Sequence, residues 1–341
     1  MYNQNGDIML VNNILHIFTC RRHSCDASCH ARLPAVSKQK RQMSATSKML
    51  LNVADLSVVF DNGKPTAHCA LERVNLNIPE GGTVGLVGES GSGKTVLAHS
   101  ILGLLPSNGT VTSGRAEWLG HNLLDLPEGE LRQIRGKEIA MIFQDPQASL
   151  NPVFRVGHQI EWVLKLHRRL IGADAKAEVL RLFEAVQLRD PERCYRCYPH
   201  ELSGGMCQRA MIAMAIACHP KLLIADEPTS ALDVTTQAEI LDLLREVRRQ
   251  FSMSLLFISH DVGAVSGICD QVVVMLRGNI IESGHAASVF QSPQHPYTQG
   301  LVNAATCGRN LRDTAAQTDE TTLDQATRIQ KNSLEKMPCQ P

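Results

Sequence analysis

One octapeptide constrains this chain more than anything else in it. Gly88-Glu89-Ser90-Gly91-Ser92-Gly93-Lys94-Thr95 fits the pattern G-x-x-x-x-G-K-[ST]. The residues before it, Thr83 to Val87, form a short β-rich run; those after it, Thr95 to Leu105, carry Val96, Leu97, Ile101 and Leu104 at the spacing of a buried helix, which Pro106 stops. Strand, glycine-rich loop and helix are what an anion cradle requires. The glycines let successive backbone N–H groups converge, and the helix start adds the positive end of its dipole. Lys94 is then placed to reach terminal phosphates, and the Thr95 hydroxyl to ligate Mg²⁺.

A second run completes the chemistry. Leu222-Leu223-Ile224-Ala225-Asp226-Glu227 is an apolar strand that ends in two acids. In a parallel sheet such a strand delivers both carboxylates to the edge that holds the phosphate loop. Asp226 is expected to hold Mg²⁺ through water, and Glu227 to act as general base toward the attacking water. Adjacent acids at a strand end can also merely cap a turn, but a phosphate loop in the same chain gives them a metal and a water to act on. His260 follows the strand-like run Leu255 to Ser259, and Gln144 follows Ile139 to Phe143. Either would be an ordinary surface residue elsewhere; at this edge both are read as contacts to the γ-phosphate, the water and, for Gln144, the metal.

The rest of the pattern sets the architecture. Thr236 to Gln250 places Ile240, Leu243, Leu244 and Val247 at i, i+3, i+4 and i+7, between the strand runs 222–225 and 254–258. Val272 to Leu276 is a further run of strand length, and this alternation predicts a parallel sheet with helices on its faces. Leu51 to Phe60 and Val74 to Ile78 suggest an antiparallel hairpin, with a turn signal at Asp61-Asn62-Gly63. From about 146 to 209 the alternation breaks: Ile160 to Leu170 and Ala175 to Leu188 have helical period with no strand between them, which predicts an inserted helical subdomain. Residues 286–306 read as a short extension of turns and helices, and 307–341 as a structureless polar tail. Residues 1–48 show no period and read as a disordered leader, with Met43 and Met49 as alternative starts.

Charge and cysteine content narrow the function classes. The chain has 34 basic and 34 acidic residues, but the first 48 residues hold seven of the bases and two of the acids, so the body is net acidic. An acidic body with 4% aromatic residues lacks the basic stripe and stacking platforms of a nucleic-acid binder. No run reaches the roughly 18 to 20 apolar residues of a membrane span, so a membrane role would be peripheral. Eleven scattered cysteines fit free thiols in a reducing compartment. Neither Cys20, Cys25 and Cys29 with His23 and His30, nor Cys194 and Cys197 with His200 and Cys207, has the spacing of a zinc site.

Leu202-Ser203-Gly204-Gly205-Met206 lies in front of the apolar run Met211 to Ala217 and makes a second candidate anion nest. With the phosphate loop and the acid pair it resembles the signature of the ATP-binding cassette (ABC) ATPases, over about residues 50 to 306. The resemblance implies an α/β fold: a P-loop NTPase (RecA-like) core over 49–285 with an antiparallel β subdomain and an inserted helical subdomain. It also implies roles for individual residues. Gln144 is the Q-loop, Asp226 and Glu227 are the Walker B pair, Ser230-Ala231-Leu232-Asp233 is the D-loop with Asp233 serving dimer communication, and His260 is the switch histidine. Ser203, Gly204 and Gly205 would cap the ATP held by a partner subunit.

Within that family, Gln144 to Pro152, Tyr198-Pro199-His200-Glu201 and His295-Pro296-Tyr297-Thr298 look like the oligopeptide, dipeptide and nickel importer subunits. The resemblance therefore implies an ATPase on the cytoplasmic face of a bacterial inner membrane. It would drive two membrane permeases, pair with a second ATPase subunit as a heterodimer or homodimer, and be served indirectly by a solute-binding protein. Three positions depart from the pattern. Met206 stands for Gln, and Cys207 stands for Arg, which would weaken contacts at the subunit junction. The adenine-stacking aromatic is replaced by the candidates Phe60 and His68. With only Cys307 and Cys339 after the His-Pro-Tyr segment, no iron-sulfur cluster is expected. A rival reading, a soluble ABC ATPase acting on nucleic acid or ribosomes, would need a coiled-coil insertion, zinc modules or two cassettes; the sequence has none of these.

Overall fold

The computed structural model describes residues 48–230 and 232–315, with side chains to residue 305. Elements are numbered in chain order among these residues. The leader with its Cys/His cluster, Ala231 and Cys339 lie outside them.

The first half of the chain lays down β1 (Met49–Phe60), β2 (His68–Pro79), β3 (Thr83–Val87), α1 (Lys94–Ile101), β4 (Gly109–Trp118), β5 (His121–Asn122), α2 (Glu128–Ile134) and β6 (Ile139–Ile142). Five helices follow with no strand between them: α3 (Pro146–Ser149), α4 (Val156–Arg168), α5 (Gly172–Ala185), α6 (Pro191–Arg196) and α7 (Gly204–Ile216). The chain then returns to alternation through β7 (Leu222–Asp226), α8 (Val234–Phe251), β8 (Ser254–Ser259), α9 (Val262–Ile268), β9 (Gln271–Leu276), β10 (Asn279–His285) and α10 (Ala286–Gln291). The compact unit ends at Ser292; a second unit begins at Pro293 and carries α11 (Pro296–Ala315).

Six strands form the central sheet in the order β10-β9-β3-β8-β7-β6. All pairings are parallel except that of β10 with β9. The inner strands β3, β7 and β8 are buried along their whole length. Such strands read as continuous apolar runs because helices cover both faces of a parallel sheet. That is why TVGLV, LLIAD and SLLFIS were legible as strands.

The antiparallel sheet is larger than a hairpin. Its order is β2-β1-β4-β5, with β1 between β2 and β4. The predicted hairpin is present, joined by the turn at residues 61–67. The additional strand β4 is exposed along most of its length and buries only Ala116 and Trp118 near its end. The inward residues Leu51, Val53, Leu56, Leu76 and Ile78 pack with Val84, Leu86 and Leu97 in one core, so the two sheets share their apolar faces.

The helical segment is held to itself by packing and by ion pairs. Arg168 Nη1 donates to Glu178 Oε1, and the Arg181 guanidinium donates to both Glu178 oxygens at 2.8 Å. Those donors hold the Glu178 carboxyl at about 2, with the Arg181 hydrogen bonds the largest cause, burial acting against them and the Arg168 hydrogen bond adding to them. Arg168 Nη1 also reaches the carbonyl of Ala217 at the end of α7, tying α4, α5 and α7 together.

In the second unit, α11 is opened by Gln299 N–H on the His295 carbonyl and Tyr297 N–H on His295 Nδ1. It continues to Ala315, past residue 307 where the sequence pattern suggested a structureless tail. The pair Ala304 and Ala305 lies in its middle, and alanine is the residue that costs a helix least.

Candidate active site

The loop between β3 and α1 owes its shape to glycine. Gly91 and Gly93 sit at φ +81° and +104°, backbone conformations that side chains resist. At Gly93 a Cβ would also lie 2.8 Å from Leu71 Cδ2 and 2.9 Å from the Ala70 carbonyl of β2. Lys94 folds back over the loop and donates to the carbonyls of Gly88 at 2.7 Å and Glu89 at 2.8 Å. Burial lowers its pKa, while the nearby charges of Glu227, Asp226 and Glu89 pull it back up. A lysine carried in this way presents its charge inside the cradle rather than to bulk water.

Strand β7 delivers Asp226 at its last position, only 2% exposed. Burial pushes its carboxyl up to about 6; a hydrogen bond with Thr95 acts against this, the Glu227 charge adds to it, and Lys94 lowers it. Its Oδ1 has no hydrogen-bond partner among the described residues.

Glu227 takes the next position at φ +44°, with its N–H donating to the Ile258 carbonyl of β8 at 2.9 Å. A non-glycine residue in this region costs on the order of 1 kcal/mol, and such costs concentrate at functional sites. Both oxygens of its carboxylate are engaged: Gln144 Nε2 donates to Oε2 at 2.9 Å, and His260 Nδ1 lies 3.2 Å from Oε1. Only 12% of the Glu227 side chain is exposed, against 57% for His260. The ends of β6, β7 and β8 therefore converge three side chains that are far apart in sequence.

Gln144 and Glu227, though not His260 or Asp226, line an open cleft of about 560 Å³ together with Lys94, Thr95, Cys69 and the ring pair Phe60 and His68. The two rings are stacked, 5.4 Å apart and inclined by 14°.

The serine-glycine turn is elsewhere. Ser203 caps α7 by accepting from the Met206 N–H at 3.3 Å, and Asp233 caps α8 by accepting from the Thr236 N–H and hydroxyl at 3.0 and 2.7 Å. The two caps adjoin, because a Cβ on Gly205 would meet Thr236 Cγ2 at 2.8 Å. Ser203, Gly205 and Met206 border a second depression, which shares no lining residue with the first cleft.

The sequence profile of the ABC transporter family matches residues 71–230. The chain is 48% identical over 272 residues to the oligopeptide transport ATP-binding protein OppD of Salmonella typhimurium, covering 79% of this chain and 80% of that protein. It belongs to the ATP-binding subunits of ABC transporters. The dipeptide transport ATP-binding protein DppD of Escherichia coli is 46% identical over 256 residues, covering 75% of this chain and 78% of that one. Among solved structures, the ATP-binding cassette MJ0796, a dimer in a post-hydrolysis state with ADP and Pi, superimposes with a TM-score of 0.62 at 27% identity. That match covers 69% of this chain and 98% of the other.

This ABC subunit is thus an ATPase with the α/β fold of its family, and membership implies work with membrane permeases. No described helix is long and apolar enough to cross a membrane. Cys207 is fully buried, its Sγ donates to the Pro199 carbonyl at 3.3 Å, and burial pushes its thiol up to about 11. A cysteine fits there because it is small and apolar enough for the underside of α7. Cys194 is likewise buried and donates to the Arg189 carbonyl. Sequence reasoning did not single out Arg277, which lines the nucleotide cleft from the turn between β9 and β10. Only the pairing of β9 with β3 brings that turn to the loop, and this long-range contact leaves no local signal.

Proposed function

We propose that this subunit powers the uptake of peptides across a bacterial inner membrane, working from its cytoplasmic face on two permeases. The observation that carries the catalytic part is that Lys94, Thr95, Gln144 and Glu227 line one cleft, with Asp226 hydrogen-bonded to Thr95 behind it and His260 within hydrogen-bond distance of Glu227. Peptide as the cargo class rests on the oligopeptide and dipeptide transport proteins named above.

In this reading the amides of residues 88–95 and the Lys94 ammonium hold the β- and γ-phosphates of ATP, and the base lies toward the Phe60–His68 stack. Thr95 and Asp226 form an all-oxygen pair in which the carboxylate keeps an unpartnered buried oxygen, a donor set suited to Mg²⁺. Mg²⁺ held there supplies positive charge to the β- and γ-phosphate oxygens. Glu227 accepts the proton of the attacking water. Its two oxygens are each fixed by one partner and each keep a lone pair for that proton, so the base is oriented before substrate arrives. Gln144 and His260 hold it, and His260 is exposed enough to meet the γ-phosphate.

Ser203, Gly204 and Gly205 lie on a different surface and serve the nucleotide of a second ATPase subunit, with Asp233 beside them to relay its presence. A related second subunit is the favoured companion, and a solute-binding protein outside the membrane selects the cargo.

The test is reconstitution of the chain with its companion ATPase and permeases in vesicles. Peptide-loaded binding protein is expected to stimulate ATP hydrolysis and ATP-dependent peptide accumulation. Hydrolysis that ignores peptide, with no accumulation, would remove peptide import from the reading.

A further inference from the structure

The chain places an unassigned cation on the wall of the nucleotide cleft. Strands β9 and β10 are joined by two residues, Arg277 and Gly278, between the paired Leu276 and Asn279. Both have positive φ, +48° and +79°, the pattern of a type I′ hairpin turn. Asn-Gly is the sequence such a turn prefers, and an arginine at the first position is strained by comparison.

The turn is clamped at both sides. Gly278 N–H donates to the Ser92 carbonyl of the phosphate loop at 3.0 Å, and the Glu72 N–H of β2 donates to the Gly278 carbonyl at 2.9 Å. A Cβ on Gly278 would lie 2.6 Å from the Ala70 carbonyl, so the turn is pressed against β2. Arg277 itself is exposed and lines the cleft beside Cys69 and Ala70. Its carbonyl accepts from Asn279, and its guanidinium has no ion pair among the described residues.

We infer that Arg277 is a nucleotide-binding residue that contacts the α- and β-phosphates, the part of the nucleotide between the base and the terminal phosphate. Its position in the cleft carries this. The Phe60–His68 stack, Lys94, Gln144, Glu227 and Arg277 all line this one cleft, and Arg277 belongs to a turn bonded to Ser92 of the phosphate loop. A guanidinium can donate to two phosphate oxygens at once, and it keeps its charge at any working pH. The strained backbone fits the same assignment, because a turn that needed no cation would be built at lower cost with asparagine. Arg277 acts by binding and takes no part in proton transfer. It should therefore favour ADP as much as ATP.

The assignment rests on ATP occupying this cleft, and the experiment separates the two claims. Affinities of the full chain for ATP and ADP are measured by calorimetry for the wild type, Arg277→Asn, Arg277→Lys and Lys94→Ala. Arg277→Asn is expected to weaken ATP and ADP by the same factor, about 5- to 20-fold. The same change relieves the turn and leaves the melting temperature of the nucleotide-free chain equal or about 1–2 °C higher. Opposite movement of affinity and stability is something a purely structural arginine would not produce. Arg277→Lys keeps the charge and is expected to stay within about threefold of the wild type. ATP and ADP affinities of Arg277→Asn within twofold of the wild type would overturn the assignment, as would a loss confined to ATP. If the wild type binds neither nucleotide, the cleft reading itself fails. If Lys94→Ala loses binding while Arg277→Asn does not, only the role of Arg277 fails.

Discussion

The two faces read as anion-binding are built to different standards. Around the phosphate loop, a buried lysine bonded to loop carbonyls and a glutamate held through both oxygens line one cleft, with a buried aspartate next to the glutamate. Around Ser203 there is a helix cap, two glycines and a neighbouring cap at Asp233, beside a depression that Arg189, Asp242 and the ion pair of Arg209 with Glu239 also line. In the proposed reading the first face binds a triphosphate and directs water at it. The second offers a capped helix start without a carboxylate held as Glu227 is, and so makes chemical sense as a cover for a nucleotide held by another chain.

That contrast can be broken most decisively at Glu227. Glu227→Gln keeps the hydrogen-bonding shape and removes the base, so single-turnover phosphate release is expected to slow at least ~100-fold while ATP binding persists. Unchanged release would show that the first face is less complete than its geometry suggests. Lys94→Ala should weaken ATP binding by about 10- to 100-fold, the worth of a charge-assisted contact to phosphate, as read by calorimetry. On the other face, Gly205→Val forces a side chain toward Thr236 and blocks the donors. The isolated chain should bind ATP within about twofold of the wild type, whereas hydrolysis in the assembled transporter should fall at least ~10-fold. Equal losses in both assays would mean that the two faces are coupled within one chain.

The scaffolds differ too, and pH sharpens the difference. The serine-glycine turn rides on helices braced by Glu178, whose carboxyl is held at about 2 by Arg181 and Arg168. A lowered folded-state pKa contributes stability above the unfolded value, and that contribution disappears as pH falls from about 4.5 toward 2. Glu178→Gln should therefore cost about 1 kcal/mol at pH 7, after allowance for solvent screening, and progressively less below pH 4.5 in denaturant titrations. A pH-independent loss would point to packing rather than charge.

Much of the first face was legible in the sequence, because its parts are local. A glycine-rich loop between strand and helix, and an acid pair closing an apolar strand, can be read residue by residue. The rule that strand ends share a sheet edge brought Gln144 and His260 into the same region. It could not show that both would seize the Glu227 carboxylate, since that depends on the registers of β6, β7 and β8. Strand β4 escaped notice for the opposite reason: TVTSGR is polar and exposed, and it becomes a strand only through its pairing with β1. The burial of Cys207 was not legible, because a signature position says nothing about which side of α7 faces inward. Arg277 was invisible because a turn two strands away meets the loop only in three dimensions.

The clamp on Gly278 has a further consequence. One main-chain N–H reaches the Ser92 carbonyl while the same residue's carbonyl receives Glu72, so the rings at Phe60 and His68 and the amides around Lys94 belong to one stiff frame. Such a frame works as a caliper with a fixed opening. With ATP lying in the cleft as proposed, it would gauge the span from base to terminal phosphate, and a molecule too short to touch both jaws would gain the grip of only one.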